Sequence, residues 1–437
     1  MMERLMELAR KISDKVEIYS IDEKTDLIWF ENSKLKEIDT KIQSGVSLRI
    51  IKDGKLGFAY TKDLIDREEI LQNALHSLTG GVEGVFDLPH TLVSTELNTY
   101  DPSIVSLLNT EIVNECRRVN DILTSKTSGQ INLYAERNIY NIRIMNSYGT
   151  DLQAMSSIYL FEPEILYPAS YSAIHRLLIE KKFKKASDEY LNFLLNTYNQ
   201  SIKEVNPGKG RMKVLFLPEV IYVLMWRLLS ATNGKSVYQK ESPILEKMGE
   251  RIFNKKLTVY DDPLNDKIPD ARGFDDEGVP CQFFSIIESG VLKNFYYDLY
   301  YAKKMNTKPT GHGFKTAMWA GEIVSTKPTP SLEHLYIKCG NKSFSELVSH
   351  IDRGIIIGGA LGAHSGNIPN GDFSIGLSPG IYVENGEIVG HVKDAMIAGN
   401  IYNTMKNVVD IEDTLHPTFV GTFPAILFDD VSVLIKG

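Results

Sequence analysis

From Lys213 to Leu229 the sequence KVLFLPEVIYVLMWRLL is almost free of polar residues, and this run constrains the fold more than any other. Lys213 to Leu217 reads as a strand that passes directly into a helix. Pro218 suits the first helical position, where its missing N–H costs nothing and its φ is already helical. Val220, Ile221, Val223, Leu224, Met225, Trp226, Leu228 and Leu229 leave the helix almost no polar face, which predicts burial on most sides. Asn233-Gly234 is expected to end it through a left-handed cap. Downstream, Asp275-Asp276-Glu277-Gly278 forms a carboxylate-rich turn. FFSIIESGVLKNFYY (283–297) then has the pattern of a hairpin.

A chain of 437 residues exceeds the roughly 250–300 at which single cores stop growing, so two domains are expected. The Pro/Gly/Lys-rich break VNPGKGRMK places the boundary at 208/209. A net charge of −8 argues against a nucleic-acid partner, and the largest basic cluster, KKFKK at 181–185, reads as a solvated face. Cys116, Cys281 and Cys339 form no C-x-x-C pair or zinc spacing, which suits a reducing cytosol. The N-terminus MMERLMELARKISDK lacks an apolar signal core. The apolar run Val220 to Trp226 falls far short of the ~20 residues of a membrane span. The expectation is a cytoplasmic, membrane-free chain.

In chain order, a helix is predicted over 2–15, then three strands, VEIYSIDEK, DLIWFENSKLKEI and GVSLRIIKDGKLGFAYT, the last turning at Asp53-Gly54. Asp66 with Glu69 caps a helix to about Leu78. A long helix over 101–126 precedes strand-like segments from Ile131, and a further helix runs from Ala186 to about Ile202. Beyond the boundary the chain reads mostly as strand, with turn pairs at Ser289-Gly290, Asn370-Gly371 and Asn385-Gly386. The fold class is therefore α+β: an N-terminal α+β domain (1–208) and a mostly antiparallel, barrel-like C-terminal domain (209–437) with a buried helix.

Asp275, Asp276, Glu277 and Gly278 read either as a turn with solvated charges or as a substrate or partner contact. His312, between Gly311 and Gly313, reads as a surface turn or as a place where backbone approaches a ligand. His364 follows the glycine-rich GGALGAHSGN, but no Gly-Lys-Ser/Thr completes a phosphate cradle. His391 and His416 are isolated and read as structural. No two histidines stand at i,i+4; a metal site would need distant groups such as His312, His364 and Cys281.

VLFLPEVIYVL, GKSVYQKES, LEKMGERI, DDEGVP, IIESGVLKNF, TGHG and GDFSIGLSPGIYVENGEI follow one another in this order. The series resembles the C-terminal half of the TldD/PmbA family, historically labelled modulators of DNA gyrase, and is closer to its PmbA (TldE) branch. The resemblance implies a metallopeptidase-like fold whose TldD branch carries H-E-x-x-x-H at the start of the buried helix. Here Leu217, Pro218 and Tyr222 occupy those three positions, and Leu and Pro can neither ligate a metal nor accept a proton. The expectation is a subunit with no catalytic residues, metal or cofactor, paired with a TldD-like metallopeptidase chain that acts on unstructured peptides. The alternatives are a self-sufficient hydrolase and a homodimeric peptide-binding protein. The aromatics Phe283, Phe284, Phe295, Tyr296, Tyr297, Tyr300 and Tyr301 suggest excess apolar surface. A dimer through the C-terminal half would cover it, homodimeric when the chain is alone.

Overall fold

The computed structural model describes residues 2–63, 65–316 and 322–435. The N-terminal half is built on a seven-stranded sheet dominated by β1 (Lys15–Glu31), β2 (Lys34–Lys52), β3 (Lys55–Thr61), β4 (Gln130–Asn146) and β5 (Asp151–Leu166), in spatial order β3-β2-β1-β4-β5. Asp53-Gly54 turns as predicted, with φ of 50° and 71°. The break expected near Glu23 does not exist: β1 runs straight through, and the chain reverses at Asn32-Ser33, where φ is 50° and 63°. Asn tolerates the left-handed region, and serine follows it there. The first helix is shorter than predicted, Met2–Ala9, and the 101–126 helix is split into Ser103–Ser106 and Asn109–Lys126.

Strand alternation gives this sheet two distinct faces. On β1 the even-numbered Ile28 and Phe30 pack under the helices Asn109–Lys126 and Asp188–Ser201, while the odd-numbered Tyr19 and Ile21 meet Phe274 and Val324 of the C-terminal half. Glu17 shares that odd-numbered face, directly opposite Arg49 of β2. The N-terminal sheet thus presents charge towards the carboxylate turn.

In the C-terminal half, Gly210–Phe216 lies inside a nine-stranded sheet curled into a half-barrel. It runs parallel to Arg353–Ile357 and antiparallel to Ile426–Ile435, which explains its unbroken apolar run. The helix Pro218–Thr232 shares one hydrophobic cluster with this sheet and with a six-stranded sheet that includes Phe284–Glu288 and Leu335–Ile337. The other face of Gly210–Phe216 carries Leu215, which joins a core containing Ile131, Leu133 and Leu194, so the two halves share apolar packing.

The helix end differs from the prediction. Asn233 is extended (φ −70°, ψ 133°), and its side chain caps the next helix, Gly234–Tyr238, by accepting from Lys235 N. Gly234 is needed for close approach instead: a Cβ there would stand 2.5 Å from Tyr297 Cδ1 and 2.8 Å from the Tyr296 carbonyl oxygen. Ser289-Gly290 and Asn385-Gly386 form tight hairpins with both residues at positive φ, whereas Asn370-Gly371 closes a loop that merely precedes the strand Asp372–Leu377. Phe284, Phe295 and Tyr296 are buried and only Phe283 of the aromatic set is exposed, so the surplus apolar surface invoked for a dimer is largely core.

Candidate functional site

The carboxylate turn is not solvated, contrary to expectation: Asp275, Asp276 and Glu277 are 0%, 2% and 1% exposed. Each is satisfied in a different direction. Asp275 accepts from Glu277 N (3.0 Å), Val279 N (2.9 Å) and Gly313 N (2.8 Å), closing its own turn. Asp276 pairs with Arg272 at 2.9 Å and accepts from Lys315 N at 2.8 Å. Glu277 reaches Arg49 across to the N-terminal sheet at 2.8 Å and accepts from Leu299 N at 2.7 Å. Gly278, at φ 79°, supplies the left-handed residue of the turn, and its carbonyl accepts from the Thr91 hydroxyl. The turn therefore ties the two halves together.

Burial and the Glu277 charge push the neighbouring Asp298 carboxyl up to about 8, while Asp298 caps the helix Leu299–Lys304 through Tyr301 N. A carboxyl raised in the folded state holds a proton that the unfolded chain releases near pH 4. Its contribution to stability is therefore full below about pH 4 and is lost as pH rises to about 8. Asp298→Asn keeps the cap acceptor but removes this titration. Urea unfolding should show the variant gaining on the wild type between pH 4 and 8, by up to about 1.4 kcal/mol for each rise of one in pH.

His312 is fully buried rather than at a surface turn. Its Nδ1 lies 2.8 Å from the Thr310 hydroxyl and its Nε2 3.5 Å from Asp261, between the rings of Phe284 and Tyr296. Cys281 is next to it in the fold, its thiol donating to the Gly311 carbonyl at 3.5 Å, and burial pushes that thiol well up. His364 lines a different cavity, so the three do not converge. His391 is buried against Tyr167, with Nδ1 2.9 Å from the Ser201 carbonyl oxygen, and His416 lies 3.2 Å from Glu412.

That cavity is a groove of about 630 Å3 along the buried helix. Glu219, Tyr222, Trp226 and Leu229, spaced to share one helical face, form its floor. Leu177 comes from the N-terminal half, Ala360 to His364 from the glycine-rich run, and Thr418 to Val420 from the far side; Leu361 and Phe419 are exposed at 61% and 69%. The helix is thus sealed on all faces but this one. The polar groups at the edge are paired, His175 with Glu162 at 2.8 Å and Arg176 with Glu219 at 3.1 Å. Burial opposes charge on His175, but Glu162 and the acidic groups beyond it hold the imidazole protonated to about 9. A histidine charged at neutral pH cannot serve there as a general base.

The helix start lies at this groove, and its residues do not fit a zinc ion. Leu217 is buried in the shared core, Pro218 is the first helical residue, and Tyr222 offers only a phenol that burial pushes up. Among the described residues no three His, Cys, Asp or Glu side chains converge to hold a metal. The sequence reading missed Arg227, whose signal was a lone cation in an apolar helix. It is fully buried and donates to the carbonyls of Val223, Ala363, Ser365 and Asp372, pinning the glycine-rich wall of the groove.

The profile of the PmbA/TldA metallopeptidase C-terminal domain matches residues 209–434, and that of domain 1 of the same group matches 16–77. The chain belongs to the PmbA/TldD family. Two relatives match along nearly its whole length. An uncharacterised protein of Methanocaldococcus jannaschii is 25% identical over 94% of this chain and 95% of its own, and a metalloprotease of Methanothermobacter thermautotrophicus is 24% identical over 91% and 88%. The crystal structure of TldE from Thermococcus kodakarensis superimposes with a TM-score of 0.89 at 22% identity, covering 99% of both chains. That likeness is one of fold.

Proposed function

We propose that this PmbA/TldD member is a non-catalytic, TldE-like subunit that joins a TldD-like zinc metallopeptidase chain and contributes its apolar groove to the handling of unstructured peptides in the cytoplasm. The observation that carries the reading is the helix start. Leu217, Pro218 and Tyr222 supply no imidazole or carboxylate, yet the groove beside them is open and lined by Tyr222, Trp226, Leu229 and Phe419. An unfolded peptide brings apolar side chains that a folded protein hides, and a groove of this chemistry suits them. Relatives support the partner: the fold is that of TldE, and a zinc metalloprotease TldD homologue of Saccharolobus solfataricus is 22% identical over 85% of the chain. In this reading 1–208 and 209–437 are the two domains.

The purified chain is expected to hold no stoichiometric zinc by elemental analysis and to leave unstructured peptides uncut. Adding a TldD-like chain that retains H-E-x-x-x-H should yield a heteromeric species in light scattering and peptide turnover. Trp226→Ala in this subunit should lower that turnover several-fold. Cleavage by the isolated chain, surviving repurification, would sink the reading, as would a clean monomer indifferent to the added partner.

A further inference from the structure

A second cavity, of about 180 Å3, lies between the odd-numbered face of the N-terminal sheet and the segments around the carboxylate turn. β1 and β4 form one wall; Asp270, Arg272, Glu333 and His334 belong to the other. Among the described residues, the hydroxyls of Tyr19 and Tyr140, Asn138 Oδ1, Arg272 Nε and His334 Nδ1 are buried and meet no hydrogen-bonding group. Tyr19, Tyr140 and Arg272 are only 1%, 9% and 6% exposed. Each such atom costs about 1–3 kcal/mol if left unpaired. Five around one small cavity mark a place built to be filled.

Two of the open atoms can only accept. His334 Nε2 meets the Asp270 carbonyl oxygen at 2.7 Å and so carries the proton, which makes Nδ1 an acceptor in the neutral ring. Asn138 spends its amide N–H on Glu23 at 2.6 Å, leaving the oxygen. Burial pushes the Asp270 carboxyl up, while Glu333 lines the cavity exposed to solvent and accepts from the Ser331 hydroxyl. Arg272 Nε, on a guanidinium already matched by Asp276, can only donate, while the Tyr19 and Tyr140 hydroxyls can donate or accept. Lys315 turns its ammonium to the Thr326 carbonyl and lies 4.9 Å from the centre of the Tyr19 ring.

We infer that this cavity is a binding site for a small organic cation, an alkylammonium or alkylguanidinium head, held between Asp270 and Glu333 with His334 Nδ1 and Asn138 Oδ1 as further acceptors. The head brings several N–H donors and a positive charge, which the excess of carboxylates and the tyrosine rings favour. The space is room for several waters, enough for such a head and a short stem. The site is separate from the groove and independent of the subunit reading.

Calorimetric titration of the full chain with agmatine should saturate with a Kd below about 1 mM. N-butylurea, which carries a neutral urea on a four-carbon stem and no ammonium, should bind at least about tenfold more weakly. Asp270→Asn with Glu333→Gln should weaken agmatine by a similar factor and leave the unliganded Tm unchanged or higher. Asn accepts the left-handed φ of 76° at position 270, and a partly buried carboxylate whose charge burial disfavours is removed. Glycyl-arginyl-glycinamide binding as tightly as agmatine would identify a peptide side chain as the source of the head, and weaker binding a free amine; either supports the site. Absence of saturation, equal affinity for the urea compound, undiminished binding by the double variant, or a cavity holding ordered water alone in crystals soaked with agmatine would overturn it.

Discussion

Replacing Arg49 by methionine should destabilise the protein by about 3–5 kcal/mol, because it strands two buried carboxylates. Arg49 grips both oxygens of Glu17, at 2.8 and 2.6 Å, and one of Glu277 at 2.8 Å, and all three side chains are at most 6% exposed. The bidentate fork is why lysine should not substitute: a single ammonium cannot meet Glu17 on both oxygens and also reach Glu277. The loss should depend on pH. Without the guanidinium both glutamates take up protons more readily in the folded state than in the unfolded one. The variant's deficit should therefore be smallest near pH 4 and grow as the pH rises. Urea unfolding across that range measures it. Adding Glu277→Gln to Arg49→Met should recover part of the deficit, since one stranded charge is gone. Equal stability of wild type and Arg49→Met at pH 8 would contradict the account.

Arg227→Met should cost about 3–5 kcal/mol and loosen one wall of the groove. Among the described residues the guanidinium has no paired carboxylate. It is held by backbone carbonyls at 2.6 to 3.0 Å: Val223 on its own helix, Ala363 and Ser365 in the glycine-rich run, and Asp372 beyond it. Burial disfavours its charge, so the carbonyl cage must supply what water would. Removing it leaves several acceptors facing a methyl-terminated chain. Hydrogen exchange should quicken from Ala363 to Asp372 while the helix core stays protected. Arg227→Lys should recover less than half of the loss, because one nitrogen cannot span the same four carbonyls. If exchange rises evenly over the whole chain instead, the pinning role is wrong.

Local dihedral preference and periodicity belong to contiguous residues, and what they dictate was legible in the sequence. Asp53-Gly54, Ser289-Gly290 and Asn385-Gly386 are hairpin tips because their residues accept positive φ. The apolar run after Lys213 becomes an internal strand and a buried helix because no other packing hides it. The lack of metal donors at Leu217, Pro218 and Tyr222 is likewise a property of side-chain chemistry alone. The same local reading fails where competing signals are close in strength. It favours the polar stretch around Glu23 over Asn32-Ser33 as a turn, yet the long ladder with β2 and β4 keeps that stretch extended.

Whether a charge is solvated or buried depends on partners, and those only the tertiary structure decided. Asp275, Asp276 and Glu277 look like a surface turn because acidic residues are costly to bury. What overrides that cost is Arg49, 228 residues away, together with backbone N–H groups from Gly313, Lys315 and Leu299. His312 is buried for the same kind of reason, by aromatic rings from separate strands and loops. The groove and the polar cavity each draw walls from both halves of the chain. A sequence states which side chains exist and how each short segment bends. The long-range pairing of strands decides which of them share a dry interior, and with it which charges can be neutralised there.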